Sequence, residues 1–211
     1  MKRQITDLQV QKKYPSRLSI FLDGNFFCGV SEEVAVKYQL KEGIQVDEEQ
    51  LKALIYDDEL LKAKNYVYML LSRRMYSAKE IQDKLKKQGY TDDIIEDIIS
   101  KMENYGYVND KTFAEEWVRS RISSNPKGRM VIKHELANKG IEEDVIETVL
   151  NENFSESVQH DLALNLARKK INSYKNDDKN SAKRKLYAFL GRHGFSYDVI
   201  KSVLDEVMKE R

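Results

Sequence analysis

The sequence predicts a mainly α fold: a tandem array of three three-helix, helix-turn-helix-like repeats, preceded by a small α+β hairpin domain. One pattern written three times carries most of this, as LKKQGYTDDIIEDII from Leu85, LANKGIEEDVIETVL from Leu136 and LGRHGFSYDVIKSVL from Leu190. Leu85, Leu136 and Leu190 align, as do Gly89, Gly140 and Gly194, and the glycines lie 51 and 54 residues apart. Periods of that length mark stacked supersecondary units that bury apolar faces against one another. Composition agrees, since 34% charged residues with only two prolines and nine glycines in 211 residues describe a strongly helical chain. Finally, the first 61 residues have a different period. Expected boundaries are 1–61 for the hairpin domain and 62–109, 110–154 and 155–211 for the repeats.

In the hairpin domain, Gln4–Gln11 alternates through Ile5, Leu8 and Val10, and Arg17–Leu22 and Phe26–Val30 are short β-prone runs around Asp23-Gly24-Asn25. Asp-Gly between two such runs signals a hairpin, because both residues tolerate positive φ. Ser31 caps a short helix to about Leu40, Gly43–Val46 returns as a strand, and Asp47 caps a helix leading into the array. From Leu60 the period is helical. Ala63, Val67, Leu70 and Leu71 form a stripe, Ser77 with Glu80 reads as a capping box ahead of Ile81 and Leu85, and Gly89 ends that helix in the left-handed conformation. Thr91 then caps a helix with the stripe Ile94, Ile95, Ile98, Ile99 and Met102. The second repeat uses Phe113, Ala114, Trp117 and Val118, then Ile132 and Leu136, then Val145, Ile146, Val149 and Leu150. The third uses Leu162, Leu166 and Ala167, then Leu186 and Leu190, then Val199, Ile200, Val203 and Leu204. These stripes are core, Trp117 included, and its indole is expected to report unfolding better than binding.

No catalytic constellation is present: neither a phosphate-binding glycine loop, nor a dinucleotide fingerprint, nor His-Glu-x-x-His. No enzyme activity and no cofactor or metal is therefore expected. His134, His160 and His193 are isolated surface or packing histidines, and Cys28 is a small apolar filler in a strand. A lone cysteine, no apolar run approaching about 18 residues and a polar start predict a cytoplasmic protein with no membrane partner, and a monomer is the default. Acid pairs such as Asp92-Asp93 and Glu142-Glu143 are explained by the helix macrodipole.

The basic residues recur at matching places. First helices end in Arg73-Arg74, in Arg119 and Arg121, and in Arg168-Lys169-Lys170; Lys127, Arg129 and Lys133 accompany the middle second helix, and Lys183, Arg184, Lys185 and Arg192 the last. The first 61 residues carry 8 basic and 11 acidic side chains, leaving 28 and 24 for the rest. A shared, mildly basic surface on first and second helices is the expectation. The third helices, opening with Asp92-Asp93 or Glu142-Glu143-Asp144, would repel phosphate, so they are unsuited to reading a DNA groove.

FAEEWVRSR from Phe113 to Arg121, with Lys127-Gly128-Arg129, Glu135-Leu136 and Lys139-Gly140-Ile141, resembles the central signature of the RecX regulatory proteins. Leu71-Ser72-Arg73-Arg74 with Ser77, Glu80 and Gly89-Tyr90 is similar to the motif before it. Met75 stands where that family often has proline, and Asn109-Asp110 where it often has two aspartates. The likeness covers about residues 60–211, and the hairpin domain is similar to an extension seen in some members. It implies a negative modulator of the RecA recombinase, lying in the helical groove of the RecA filament on single-stranded DNA. Three repeats of ~20–25 Å each would span ~60–75 Å, more than one protomer. The contacts implied run through Arg73, Arg74, Arg119, Arg121, Lys127, Arg129, Lys133, Arg168, Lys169 and Lys170, so reversing Arg119, Arg121 and Arg129 to Glu should abolish binding with helical content unchanged. Alternatives are a nucleic-acid-binding module acting on single- or double-stranded DNA through phosphate contacts without RecA, and a helical scaffold for another protein.

Overall fold

The computed structural model describes residues 2–210, in two compact units. Met1 and Arg211, ends of the expected first and last segments, lie outside the described residues. One unit takes the chain up to Arg74 together with Gln82–Tyr105; the other takes Met75–Ile81 and the chain from Gly106 onward.

The first unit opens with a four-stranded antiparallel sheet of β1 (Arg3–Val10), β2 (Arg17–Leu22), β3 (Asn25–Ser31) and β4 (Gln45–Val46), in the order β3-β2-β1-β4. The β2–β3 hairpin closes through only two residues, Asp23 and Gly24, with φ of 52° and 82°, the positive values a primed turn needs to match strand twist. Ser31 caps α1 (Glu32–Lys37) by accepting from the Val34 N–H. Asp47 caps α2 (Glu48–Leu71) in a full capping box with Gln50. Ile5, Ile20, Leu22, Val30, Val34, Leu51 and Leu54 form the core beneath the sheet. Cys28 packs at its margin, where burial above all, then the charge of Asp58, pushes its thiol pKa up to about 11.

Asp58 ties this unit together. It lies on α2 with 2% of its surface exposed. Its carboxylate accepts from the Arg17 guanidinium at 2.9 Å, the Ser31 backbone N–H at 2.7 Å and Lys62 Nζ at 2.8 Å, linking β2, the end of β3 and α2. Burial alone would raise its pKa. Arg17, Lys62 and the Ser31 N–H outweigh burial and hold it below the usual carboxylate range.

α2 is continuous for 24 residues, so the junction expected at 61/62 falls inside it. Its later turns bury Ala63, Val67 and Leu70 and pack against α4 (Asp92–Asn104), which buries Ile94, Ile95, Ile98 and Met102. α3 (Ala78–Lys87) begins in one unit and ends in the other. Thr91 stands at the N-cap of α4, but its hydroxyl makes no cap hydrogen bond, contrary to expectation.

The second unit contains α5 (Asp110–Ser123), α6 (Arg129–Asn138) and α7 (Glu143–Asn153) around Phe113, Val118, Ile132, Leu136, Ile146 and Phe154. α8 (Glu156–Ile171), a 3-10 turn at Asn172–Tyr174, α9 (Lys179–Arg192) and α10 (Tyr197–Glu210) follow, around Ala163, Leu186, Leu190, Ile200, Val203 and Leu204. Leu162 packs against both cores.

The joint between consecutive repeats is made twice by equivalent residues. The turn after α6 sets the Lys139 carbonyl 2.7 Å from the Ser77 hydroxyl at the start of α3. The turn after α9 sets the His193 carbonyl 2.8 Å from the Gly128 N–H at the start of α6, and the Gly194 carbonyl 3.2 Å from the Met130 N–H. Ser77 and Gly128 are 51 residues apart, Lys139 and His193 54, matching the glycine column. A turn of one repeat thus satisfies helix N-terminal groups that the preceding repeat leaves open. Gly194 has φ of +88°, and a Cβ there would stand 2.6 Å from Val131; a Cβ on Gly128 would come within 2.2 Å of the Gly194 carbonyl.

Two stability predictions follow from these contacts. Asp58→Asn removes a buried charge from its three donors and should cost about 3 kcal/mol in urea unfolding near pH 7. Because the folded pKa is depressed, the stabilisation is present above the unfolded value and lost as pH falls through the folded one, so the gap between wild type and variant should begin to narrow near about pH 4 and close only at lower pH. Gly194→Ala should lower stability by about 2–3 kcal/mol, combining left-handed backbone strain with overlap on Val131. Gly191→Ala, in α9 with no atom within 4 Å of the added Cβ, should raise stability by up to about 1 kcal/mol. Equal melting temperatures for these two variants would contradict the close packing of the joint.

Candidate functional site

Arg73 and Arg74 lie beyond the end of α2, in an exposed turn, rather than within the helix. The other expected cations fall in the second unit. Arg119 and Arg121 are on the last turns of α5, Lys127 precedes the α6 N-cap, Arg129 and Lys133 are on α6, and Arg168, Lys169 and Lys170 end α8.

Most of them meet carboxylates of their own repeat. Glu147 on α7 accepts from Arg129 at 2.5 Å and Lys133 at 2.7 Å, and Glu143 takes Lys133 at 2.5 Å. Lys133, then Arg129, holds the Glu147 carboxyl below its ordinary range, while Glu143 and Glu147 raise the Lys133 ammonium. Arg168 spans to Glu206 at 2.9 Å and Glu210 at 2.5 Å on α10, and Arg119 pairs with Glu116. Acids in the first turns of third helices therefore do more than answer the macrodipole: Glu143 and Asp92 each hold a second-helix lysine, the latter Lys86 at 3.0 Å. Such exposed pairs contribute only about 0–1 kcal/mol each, so they open readily for a stronger anionic partner.

Arg121 differs in kind. Its side chain is 16% exposed, its Nε donates to Glu135 at 2.6 Å, and its guanidinium lies 4.3 Å from the Trp117 ring centroid. Lys139 Nζ lies 4.2 Å from the same ring and 2.7 Å from Glu80. The Trp117 indole N–H donates to Glu135 at 2.8 Å, and the indole stacks on Phe113 at 5.9 Å. Trp117 is thus half-buried under two cations and hydrogen-bonded at its edge, rather than simply core. Glu135 and Glu80 fix the cations around it; the sequence reads Glu80 as part of a capping box and both as motif residues, but not as partners of Arg121 and Lys139. Reversing Arg121 to Glu would face it with Glu135 and remove a stacked cation, so that substitution perturbs the fold as well as any surface.

Among the described residues, Arg73, Lys127 and Lys169 have no carboxylate within 4.0 Å. Lys170 instead lies 5.5 Å from the Tyr174 ring centroid and 5.6 Å from that of Phe189. In the second unit the expected cations are thus partly neutralised by carboxylates of their own repeats. The histidines are scattered as expected: His193 Nδ1 is 2.9 Å from the Phe189 carbonyl, and His160 is 3.9 Å from both Asp161 and Glu206. No helix among the described residues is long and apolar enough to cross a membrane.

Comparison with known proteins matches the chain along nearly its whole length. Residues 3–47 match the RecX N-terminal domain, 63–102 the first three-helix domain, 109–150 the second and 157–204 the third. Regulatory protein RecX of Clostridioides difficile strain 630 is 32% identical over 204 residues, covering 97% of this chain and 95% of that protein. Its namesake from Bacillus subtilis strain 168 is 35% identical over 206 residues, covering 98% and 78%. A crystal structure of regulatory protein RecX superimposes with a TM-score of 0.78 at 30% identity, over 96% of this chain and 99% of that one. That of RecX from Lactobacillus salivarius gives 0.67 at 33%, over 71% and 97%. With the sheet module and all three helical modules present in order, the chain belongs to the RecX family of regulatory proteins.

Proposed function

We propose that this protein is a non-catalytic regulator that binds the RecA filament on single-stranded DNA in its helical groove, as a cytoplasmic monomer, and restrains recombinase and ATPase activity and filament growth. The observation that carries it is the complete set of RecX modules in order. A non-enzymatic role agrees with relatives that are named regulatory proteins. The cationic clusters supply the physical means. Arg73, Lys127 and Lys169 offer charge without an internal partner, and Arg119, Arg129, Lys133 and Arg168 can exchange an exposed carboxylate for an acidic groove or a phosphate; Arg74 and Lys170 extend the same segments. Arg121 acts mainly by holding Trp117 and Glu135.

Co-sedimentation with RecA filaments on single-stranded DNA, against the same DNA bare, tests this directly. Saturable filament binding that persists at physiological salt is expected, and equal loss of both with salt would oppose the groove site. Arg119→Glu with Lys127→Glu should weaken filament binding about tenfold, or about 1.4 kcal/mol, with unchanged helical circular dichroism. Unaltered affinity would remove both residues from the site. Glu147→Gln, which takes the carboxylate from Arg129 and leaves Lys133 with Glu143 alone, should tighten binding up to roughly fivefold, or about 1 kcal/mol; a weaker complex would show instead that the intramolecular pairing positions these cations.

A further inference from the structure

α9 departs from the second helices of the other repeats. It carries Lys179, Lys183, Arg184, Lys185 and Arg192 and no acid, whereas α3 includes Glu80 and Asp83, and α6 includes Glu135. At 100° per residue, Asn180, Lys183, Arg184, Tyr187 and Gly191 share one strip of its surface. Tyr187 is 42% exposed and Tyr197, opening α10, is 61% exposed, and their rings meet edge to face at 6.5 Å. Neither tyrosine is required by the core of this repeat, which is complete without them. Beside Tyr187, a hollow of about 300 Å³ is walled by Lys183, Arg184 and Leu204. Gly191, one turn further on, adds no side chain, so the strip beyond the ring stays low.

Exposed aromatic faces flanked by cations are what an unpaired nucleobase with its phosphate requires: the ring stacks on the base, and the neighbouring charges meet the backbone. We infer that Tyr187 and Tyr197, with Lys183 and Arg184, form a stacking platform for single-stranded nucleic acid on the third repeat. A duplex is excluded as the ligand of the rings, because its base faces are already stacked on one another. Lys183 must leave Asp205, which it faces at 3.7 Å with both side chains half exposed, an exchange of small cost. Arg184 has no carboxylate within 4.0 Å among the described residues. This site does not depend on filament binding.

The experiment is fluorescence anisotropy of a labelled oligothymidylate of about 16 nucleotides with the full chain, across a salt series, run beside co-sedimentation on RecA filaments. Tyr187→Ala with Tyr197→Ala should weaken strand binding about 5- to 100-fold, while Tyr187→Phe with Tyr197→Phe should bind like wild type, since phenylalanine keeps the ring face. Lys183→Gln with Arg184→Gln should reduce the log–log salt slope by about 1.4, for two phosphates at about 0.7 each. Photocrosslinking of a 5-iodouracil strand to Tyr187 or Tyr197 is expected from a stacked base. Wild-type strand affinity in the double alanine variant would overturn the platform. Loss of filament binding in that variant with strand binding intact would also overturn it, making the tyrosines a protein contact.

Discussion

A backbone carbonyl must reach the open N-terminal groups of a helix in the preceding repeat, and this requirement shapes the array. An α-helix leaves its first N–H groups without internal partners. In one joint a neighbouring turn meets two of them, the Gly128 and Met130 N–H groups; in the equivalent joint the Ser77 hydroxyl at the start of the helix donates to the Lys139 carbonyl. The approach is close enough that a Cβ at Gly128 or Gly194 would overlap backbone or Val131 atoms. The glycine column therefore has two origins. At Gly89, where nothing lies within 4 Å of a would-be Cβ, it ends a helix; at Gly194 it also lets the turn approach Val131 of the preceding repeat.

Around that frame, charge is arranged mostly for internal balance. Acidic first turns of third helices meet the cations of second helices, as Glu143 and Glu147 meet Lys133 and Arg129. The net charge of +1 is set by composition; pairing decides how much of the gross charge is left to meet a partner. Among the described residues, Arg73, Lys127 and Lys169 remain without a carboxylate partner, beside exposed pairs weak enough to exchange. α9 holds no acid of its own, though Lys183 and Lys185 meet Asp205 and Asp177 from outside it, and exposed aromatic rings stand beside its cations.

The sheet module follows another logic. Its core is apolar, but Asp58 is buried within it and satisfied by donors from β2, β3 and α2. A buried carboxylate is costly unless fully hydrogen-bonded, so this arrangement favours one alignment of strand against helix and penalises others. The continuous α2 carries that alignment from the sheet into the packing against α4.

Much of this was legible in the sequence because it is local. The Asp23-Gly24 turn, the caps at Ser31 and Asp47, the helical stripes and the triple repeat each depend on residues within a few positions of one another, or on copying. Arg119, Arg121, Arg129, Lys133 and Arg168 lie on the helices to which periodicity assigns them, whereas Arg73 and Arg74 fall in the turn after α2. Their partners do not follow from periodicity, since Glu135 with Arg121, Glu147 with Arg129 and Asp58 with Arg17 meet only after helices or strands pack. Trp117 shows the limit: its spacing is that of a core residue, yet two cations cover it and Glu135 holds its N–H. The sequence by itself determined the element types, the repeat and the family; tertiary structure alone decided which charges are neutralised and which remain exposed, because ion pairing depends on distances of a few ångströms between segments remote in the chain.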